Sequence, residues 1–299
     1  MRSCDAWSFY WQQSHLESCI ANDSDDHHLI VKRWQDFAIP LTPDNKVLDL
    51  ATGNGFVLHS IISKRSDLQL FGVDYADIVP DIHFTSQQNK HIRFLANTDI
   101  SSLPFDDNYF DAITSQFGFE YAPKDKAYRE LSRVLKQSGQ YQLIVHHKDS
   151  EVIKFSIKKR KELNQLVEGE ALIKHLEWYS KDQITLKAFA DYQQHFLKVH
   201  HKQITEQVTG QIFKAIMPIV NFKQKHEQLM VDNGFTHLQE QITAEISRLS
   251  QLIDAALNQD SLSQLINNMK IVLSEVNCEV ISPLNCPEKV FAWRIWGIK

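Results

Sequence analysis

With 299 residues, 43% of them apolar and 23% charged, the chain has room for one large domain or a domain carrying an insertion. A formal net charge of −5 gives no support for a general nucleic-acid or membrane surface. The run Lys154, Lys158, Lys159, Arg160 and Lys161 is a local exception that reads as a solvated helix face.

In chain order, Asp5 to Ile39 reads as helical and rich in aromatics, among them Trp7, Phe9, Tyr10, Trp11, Trp34 and Phe37. Asn22 to Asp26 is a polar break, and Asp25 or Asp26 is the expected cap of a second helix. These aromatics pack the helices onto the main domain, or alternatively Tyr10 or Trp11 closes over a ligand. Pro40 and Pro43 end the segment. From Lys46 to His147 strands and helices alternate, which implies parallel strands with crossover helices. The expected strands are Val47–Leu50, Leu68–Val73, Ile92–Leu95, Asp111–Ser115 and Gln140–Val145, the last preceded by a Ser138-Gly139 turn. Asp49, Asp74, Asp99, Gln116 and His146 fall at or near carboxyl ends, where such sheets bind ligands.

From Lys148 to about Met269 the pattern is helical. Ser180-Lys181-Asp182-Gln183 reads as a capping box before Phe189, Tyr192, Phe196 and Val199. Another helix through Val208, Ile212 and Ile216 is expected to stop at Pro218. Ile242, Ile246, Leu249, Ile253 and Ala256 line a helix packed on the same chain, with a dimer contact as the other reading. Two strand-like runs, Cys278–Ile281 and Val290–Ile298, close the chain around Pro283 and Pro287.

Cys4, Cys19, Cys278 and Cys286 form no Cys-x-x-Cys pair and match no zinc spacing, so no metal is expected. Met1 to Trp11 has no signal-peptide pattern and no apolar run approaches a membrane span, so the expected compartment is cytoplasmic with reduced thiols.

The stretch Val47-Leu48-Asp49-Leu50-Ala51-Thr52-Gly53-Asn54-Gly55 is a strand and glycine turn, with Val57, Leu58, Ile61 and Ile62 marking a helix behind it. Leu58 stands where a dinucleotide fingerprint needs its third glycine, and no Gly-Lys-Ser/Thr follows to make a phosphate loop. The stretch resembles motif I of the class I S-adenosylmethionine-dependent methyltransferases, and Phe71-Gly72-Val73-Asp74-Tyr75 resembles their second motif. Asn97-Thr98-Asp99-Ile100 and Leu103 to Asp111 are similar to the adenine-side loop and the entry to the fourth strand. Leu131 to Gly139 is similar to the helix and turn before the fifth strand, and Phe291 to Gly297 to the antiparallel last strand. Ala51 replaces the family's usual first glycine, and Gln137-Ser138-Gly139 its usual proline-glycine-glycine.

The resemblance implies an α/β fold, a Rossmann-like seven-stranded, mostly parallel sheet with an antiparallel last strand. N-terminal helices and a long helical insertion before strand six are added to it. The expected division is a helical cap over 1–45, a cofactor-binding core over 46–147, a helical lid over 148–270 and closing strands over 271–299. It also implies S-adenosyl-L-methionine as cofactor, demethylated to S-adenosyl-L-homocysteine. Asp49, Ala51, Gly53, Asn54 and Gly55 would line its methionine portion, Asp74 with Tyr75 the ribose, Asp99 with Ile100 the adenine, and Gln116 the methionine end. Tyr10 and Trp11 are further candidates for cofactor contact. His146, His147 and Glu120 are the candidate catalytic groups if the acceptor needs a base. The expected activity is methyl transfer to an oxygen or nitrogen of a small, partly apolar molecule by a monomer or homodimer, without nucleic acid or membrane. A protein or peptide acceptor, or a non-catalytic cofactor-binding scaffold, are the alternatives.

Overall fold

The computed structural model describes residues 3–13, 15–16, 19, 24–168, 171–200 and 206–299. Two compact units divide the chain: Met1–Lys154 with Gln251–Lys299, and Phe155–Ser250. The expected helical segment over 148–270 is therefore split, and its last twenty residues belong with the sheet.

The first unit is built on seven strands: β1 (Lys46–Leu50), β2 (Gln69–Val73), β3 (Ile92–Leu95), β4 (Phe110–Gln116), β5 (Leu135–His146), β6 (Asn277–Ile281) and β7 (Ala292–Ile298). Their order is β3-β2-β1-β4-β5-β7-β6. β1 to β5 run parallel, and β7 lies antiparallel to both β5 and β6, as the closing hairpin led us to expect. β1 is central and buried on both faces, which explains its uninterrupted apolar reading around Asp49. Alternation along the strand separates its two faces. Leu48 and Leu50 join a core with Leu131, Val134, Leu265 and Met269, whereas Val47 joins Ile30, Trp34, Val57 and Ile61 on the other side.

Helices α1 (Ser3–Trp11), α2 (Asp25–Phe37) and α3 (Phe56–Ile62) precede β2, and α4 (Lys124–Val134) precedes β5. The cap of α2 is Ser24, whose hydroxyl oxygen accepts from His27 N–H at 3.1 Å. Asp25 and Asp26, expected to cap, instead occupy the first turn, where their charge favours the helix dipole. β5 begins five residues earlier than expected: α4 passes directly into it, Leu135 pairs with Phe110, and the register shifts before Ala112. Ser138, at φ 61, absorbs the irregularity inside the strand rather than in a turn before it.

The second unit is helical. It comprises most of α5 (Glu151–Val167), then α6 (Leu172–Ser180), α7 (Leu186–His200), α8 (Glu206–Gln224) and most of α9 (Gln228–Ala255). Its core includes Leu166, Leu176, Phe189, Phe196, Ile216 and Leu238. The capping box expected at Ser180 is not one: Ser180 ends α6 and its hydroxyl donates back to the Glu177 carbonyl at 2.7 Å. Thr185 caps α7 instead, its hydroxyl oxygen accepting from Ala188 N–H at 3.2 Å. α8 does not stop at Pro218, which lies inside it. The buried residues Ile216, Ile219 and Val220 straddle the proline, so their packing outweighs one lost backbone bond. The last helix, α10 (Gln259–Met269), belongs to the sheet unit, with Asn258 and Ser261 forming a capping box at its start. No helix among the described residues is long and apolar enough to cross a membrane.

Candidate functional site at the carboxyl ends of the strands

The strand order reverses between β1 and β4, the switch point at which open α/β sheets form a ligand crevice. A cavity of about 970 Å³ opens there, and its lining among the described residues comes from the sheet unit. The turn after β1 contributes Ala51 and Thr52 beside Asp49, and the end of β2 contributes Asp74, Tyr75 and Ala76. Asp99 and Ile100 follow β3, while Gln116, Phe117, Gly118 and Glu120 follow β4.

The glycine turn shapes this wall without forming its surface. Gly53, Asn54 and Gly55 are not lining residues; they hold the groups that are. Gly53, at φ +53, donates its N–H to Asp74 Oδ2 at 2.7 Å, and a Cβ there would overlap the Trp11 ring. Gly55, at φ +91, starts α3, and its N–H donates to the Thr52 carbonyl at 2.9 Å. The buried Asn54 amide donates to the carbonyls of Trp11 and His15 at 2.9 and 2.6 Å, and its oxygen accepts from Val79 N–H. The turn thereby carries the N-terminal segment, and Trp7, Trp11 and Leu16 of that segment reach the cavity. Ala51 sits at φ 52 in contact range of Gly118, where any Cβ would collide with its own. Gly118 is thus the residue that makes room for alanine in place of the missing glycine.

Two buried carboxylates line the cavity on the side of β1 and β2. Asp49 Oδ1 accepts from the Thr114 hydroxyl at 2.8 Å, while Oδ2 is buried without a protein partner. Burial pushes Asp49 up to about 7, and the neighbouring Asp74 adds to the rise; the nearby Thr52 hydroxyl, which lies outside hydrogen-bond geometry, and the bonded Thr114 hydroxyl oppose it. Asp74 accepts from Gly53 N–H and, at 2.8 Å, from Ala76 N–H; burial raises it to about 6 against those bonds. An orphaned buried carboxylate oxygen suits a cationic group such as an ammonium, because leaving it unpaired is costly. The site therefore fits a cofactor bearing an α-amino acid head and a ribose.

On the β4 side, Glu120 Oε1 accepts from His146 N–H at 2.8 Å and lies 2.7 Å from His146 Nδ1. Glu120 Oε2 is buried without a protein partner. Glu120 lines the cavity, but His146 lies behind it, 1% exposed and stacked on Phe117. His147 is not brought to the site. Its ring stacks on Trp293 at 4.3 Å, Nδ1 accepts from Asp149 N–H, and burial lowers its pKa. Tyr10 is also absent from the lining and stacks on His15 instead. Gln116 lines the cavity with its side-chain oxygen already taken by Trp34 Nε1 at 2.6 Å. The sequence reading missed Trp7, Leu16 and the α10 residues Ser261, Gln264, Leu265 and Asn268. Trp7, one turn before Trp11, was recoverable from helical spacing, and Asn258-x-x-Ser261 marked the start of α10.

A family model described as a methyltransferase domain matches residues 47–139. A demethylmenaquinone methyltransferase of Thermotoga maritima is 37% identical over 109 residues, 36% of this chain and 46% of that protein. A sarcosine/dimethylglycine N-methyltransferase of Halorhodospira halochloris is 27% identical over 151 residues, 46% of this chain and 53% of that protein. A ubiquinone/menaquinone biosynthesis C-methyltransferase of Citrifermentans bemidjiense is 31% identical over 118 residues, 37% of this chain and 50% of that protein. The chain spans about half the length of these curated relatives. Residues 47–139 are a class I S-adenosylmethionine-dependent methyltransferase domain. S-Adenosyl-L-methionine is the cofactor of that domain.

Proposed function

We propose that the chain transfers a methyl group from S-adenosyl-L-methionine to an oxygen or nitrogen of a small-molecule acceptor. The observation that carries this reading is a pair of carboxylates lining one cavity, Asp49 on the β1 side and Glu120 on the β4 side, each with one buried oxygen that no protein group partners. In this reading Asp49 holds the ammonium of the amino acid head, and Asp74 accepts from the ribose hydroxyls while the Gly53 and Ala76 amides fix its orientation. Asp99 and Ile100 flank the adenine, and Trp7 and Trp11 exclude water from the N-terminal side. The bound cofactor supplies an electrophilic methyl on a sulfonium. The chain's task is then alignment, since an in-line displacement gains most from fixing the reacting atoms within reach of one another.

Glu120 orients the acceptor. Its Oε1 is occupied by His146, so Oε2 is the atom left to accept from a hydroxyl or amine and to take up its proton as the new bond forms. Relatives named for demethylmenaquinone and for sarcosine act on small molecules, which supports an acceptor of that size here. This reading places the protein in the cytoplasm, where thiols such as Cys278 and Cys286 stay reduced.

The test is incubation of the protein with methyl-labelled S-adenosyl-L-methionine and a fractionated cell extract, followed by mass spectrometry. Label in a low-molecular-weight hydroxyl or amine compound is the expected result. Label confined to proteins, or to a carbon centre, overturns the acceptor assignment. Failure of S-adenosyl-L-homocysteine to bind in calorimetry overturns the whole reading.

A further inference from the structure

Behind the β4 side of the cavity, three side chains from separate segments make a continuous set of polar contacts of which methyl transfer uses one oxygen. Glu120 Oε1 lies 2.7 Å from His146 Nδ1, and His146 Nε2 lies 3.3 Å from Cys19 Sγ. The carboxylate fixes the imidazole so that Nδ1 faces it and Nε2 faces the sulfur. Phe117 stacks on the ring at 4.3 Å, and Tyr121 stands edge-on at 6.3 Å, so the imidazole cannot swing away. Glu120 and His146 are 2% and 1% exposed, whereas Cys19 is only half-buried.

Burial alone would push His146 down, but the Cys19 sulfur and the Glu120 carboxylate outweigh it and lift the imidazole to about 9. A sulfur beside an imidazolium is favoured as the thiolate, and a partly accessible thiolate next to a cation is the setting in which cysteines react. The position also matters mechanically. Cys19 packs against the cluster of Ile153, Leu252, Ile253 and Ala256, while Asn54 holds the same N-terminal segment through Trp11 and His15. The segment that brings Trp11 and Leu16 to the cavity is therefore pinned at several places, among them the Ser8 hydroxyl on Asp77 N–H and the Cys19 thiol.

We propose that Cys19 is a peroxide-reactive modification site, and that its oxidation releases one of the contacts that hold the N-terminal wall of the cavity. In the reaction the Cys19 sulfur attacks one oxygen of hydrogen peroxide. The S–O bond forms, the O–O bond breaks, and sulfur loses two electrons to the departing oxygen. His146 Nε2 gives its proton to that oxygen, which leaves as water, and the products are a sulfenic acid and a neutral imidazole. The charge attraction between Cys19 and His146 is then gone, and an extra oxygen stands where Cys19 packs on Ile153 and Ile253. This proposal rests on the cavity's assignment to the cofactor only in its second part.

The test treats the full chain with stoichiometric hydrogen peroxide, traps sulfenic acid with dimedone and locates it by peptide mass spectrometry. Cys19 is expected to label about tenfold faster than the exposed Cys278 at neutral pH, an advantage that shrinks as pH rises past about 9, where His146 gives up its proton. His146→Gln is expected to remove the preference, and Glu120→Gln to reduce it. A circular dichroism melt checks that each variant folds, and if neither does, the wild-type pH profile decides. Calorimetry with S-adenosyl-L-homocysteine reads the consequence: binding at least about fivefold weaker after oxidation of the wild type, unchanged in peroxide-treated Cys19→Ser. Labelling of Cys19 no faster than Cys278, or a preference untouched in a folded His146→Gln, overturns the site. Preferential labelling with unaltered affinity overturns the link to the cavity. Binding to the untreated wild type reports separately on the cofactor assignment.

Discussion

The two sides of the cavity bury carboxylates by different means. Asp49 and Asp74, at the ends of β1 and β2, accept from neutral donors, the Thr114 hydroxyl and the amides of Gly53 and Ala76. Burial drives them up to about 7 and about 6. Glu120, beyond β4, is as deeply buried but sits against an imidazole that carries the compensating charge. The first side is incomplete until a ligand brings positive charge. The second already contains its cation and has only a hydrogen-bonding vacancy at Oε2. Cofactor and acceptor would thus be read by different physics in one cavity.

The largest effect is expected where backbone shape sets the β1 side. Gly53→Val places a branched side chain at φ +53, a strain of roughly 1–3 kcal/mol, and drives it into the Trp11 ring. S-Adenosyl-L-homocysteine binding measured by calorimetry should become undetectable. Retained binding within threefold of wild type would mean that the turn does not shape the wall, and the contrast between the two sides would fail with it.

Asp49→Asn tests the charge argument. The folded protein holds a proton on Asp49 up to about pH 7, whereas the unfolded chain releases it near the ordinary value of 3.8. Folding therefore takes up a proton between those values. Stability from this group is fullest below the unfolded value and declines as pH rises to about 7. The asparagine variant should melt higher than the wild type at pH 8 and equally at the acid end. An ammonium ligand needs the ionised form, so wild-type affinity should rise about tenfold per pH unit below about 7 and then level. In the variant, affinity should be independent of pH over that range and about tenfold to hundredfold below the wild-type plateau. A wild-type affinity flat from pH 5 to 8 would remove Asp49 from the ammonium site.

Glu120→Gln sharpens the other side. It keeps the side chain's shape and one acceptor toward His146, so S-adenosyl-L-homocysteine affinity should change by less than about threefold. Turnover of an identified acceptor should fall about hundredfold, the scale of a lost general base. Equal losses in cofactor binding and turnover would merge the two sides into one.

The placement of the β1 side was legible in the sequence because it follows from backbone position. A strand end fixes Asp49, Asp74 and Asp99 whatever surrounds them, and the period-two alternation of Val47, Leu48 and Leu50 fixes the faces. The β4 side was not. Nothing local distinguishes His146 from His147, yet adjacent residues on a strand point to opposite faces, so one meets Glu120 and Cys19 and the other Trp293. Cys19 lies 127 positions from His146, a distance no spacing rule spans. Among the helices, Pro218 and Ser180 misled for the opposite reason: local preference was overridden by packing on Ile216 and Ile219, and by a second cap at Thr185.

The smallest predicted effect uses that second cap as a control from the helical unit. Thr185 accepts from Ala188 N–H, and its carbonyl accepts from Phe189 N–H at 3.0 Å, so the side chain serves the start of α7. Thr185→Ala should cost about 1 kcal/mol by urea unfolding, the usual worth of such a cap. Because Phe189 is buried in a core that contains no cavity-lining residue, S-adenosyl-L-homocysteine affinity should stay within error. A drop in affinity comparable with that of Asp49→Asn would show that the helical unit's stability is coupled to cofactor binding. The contrast worth pursuing would then lie between the two compact units rather than between the two sides of one cavity.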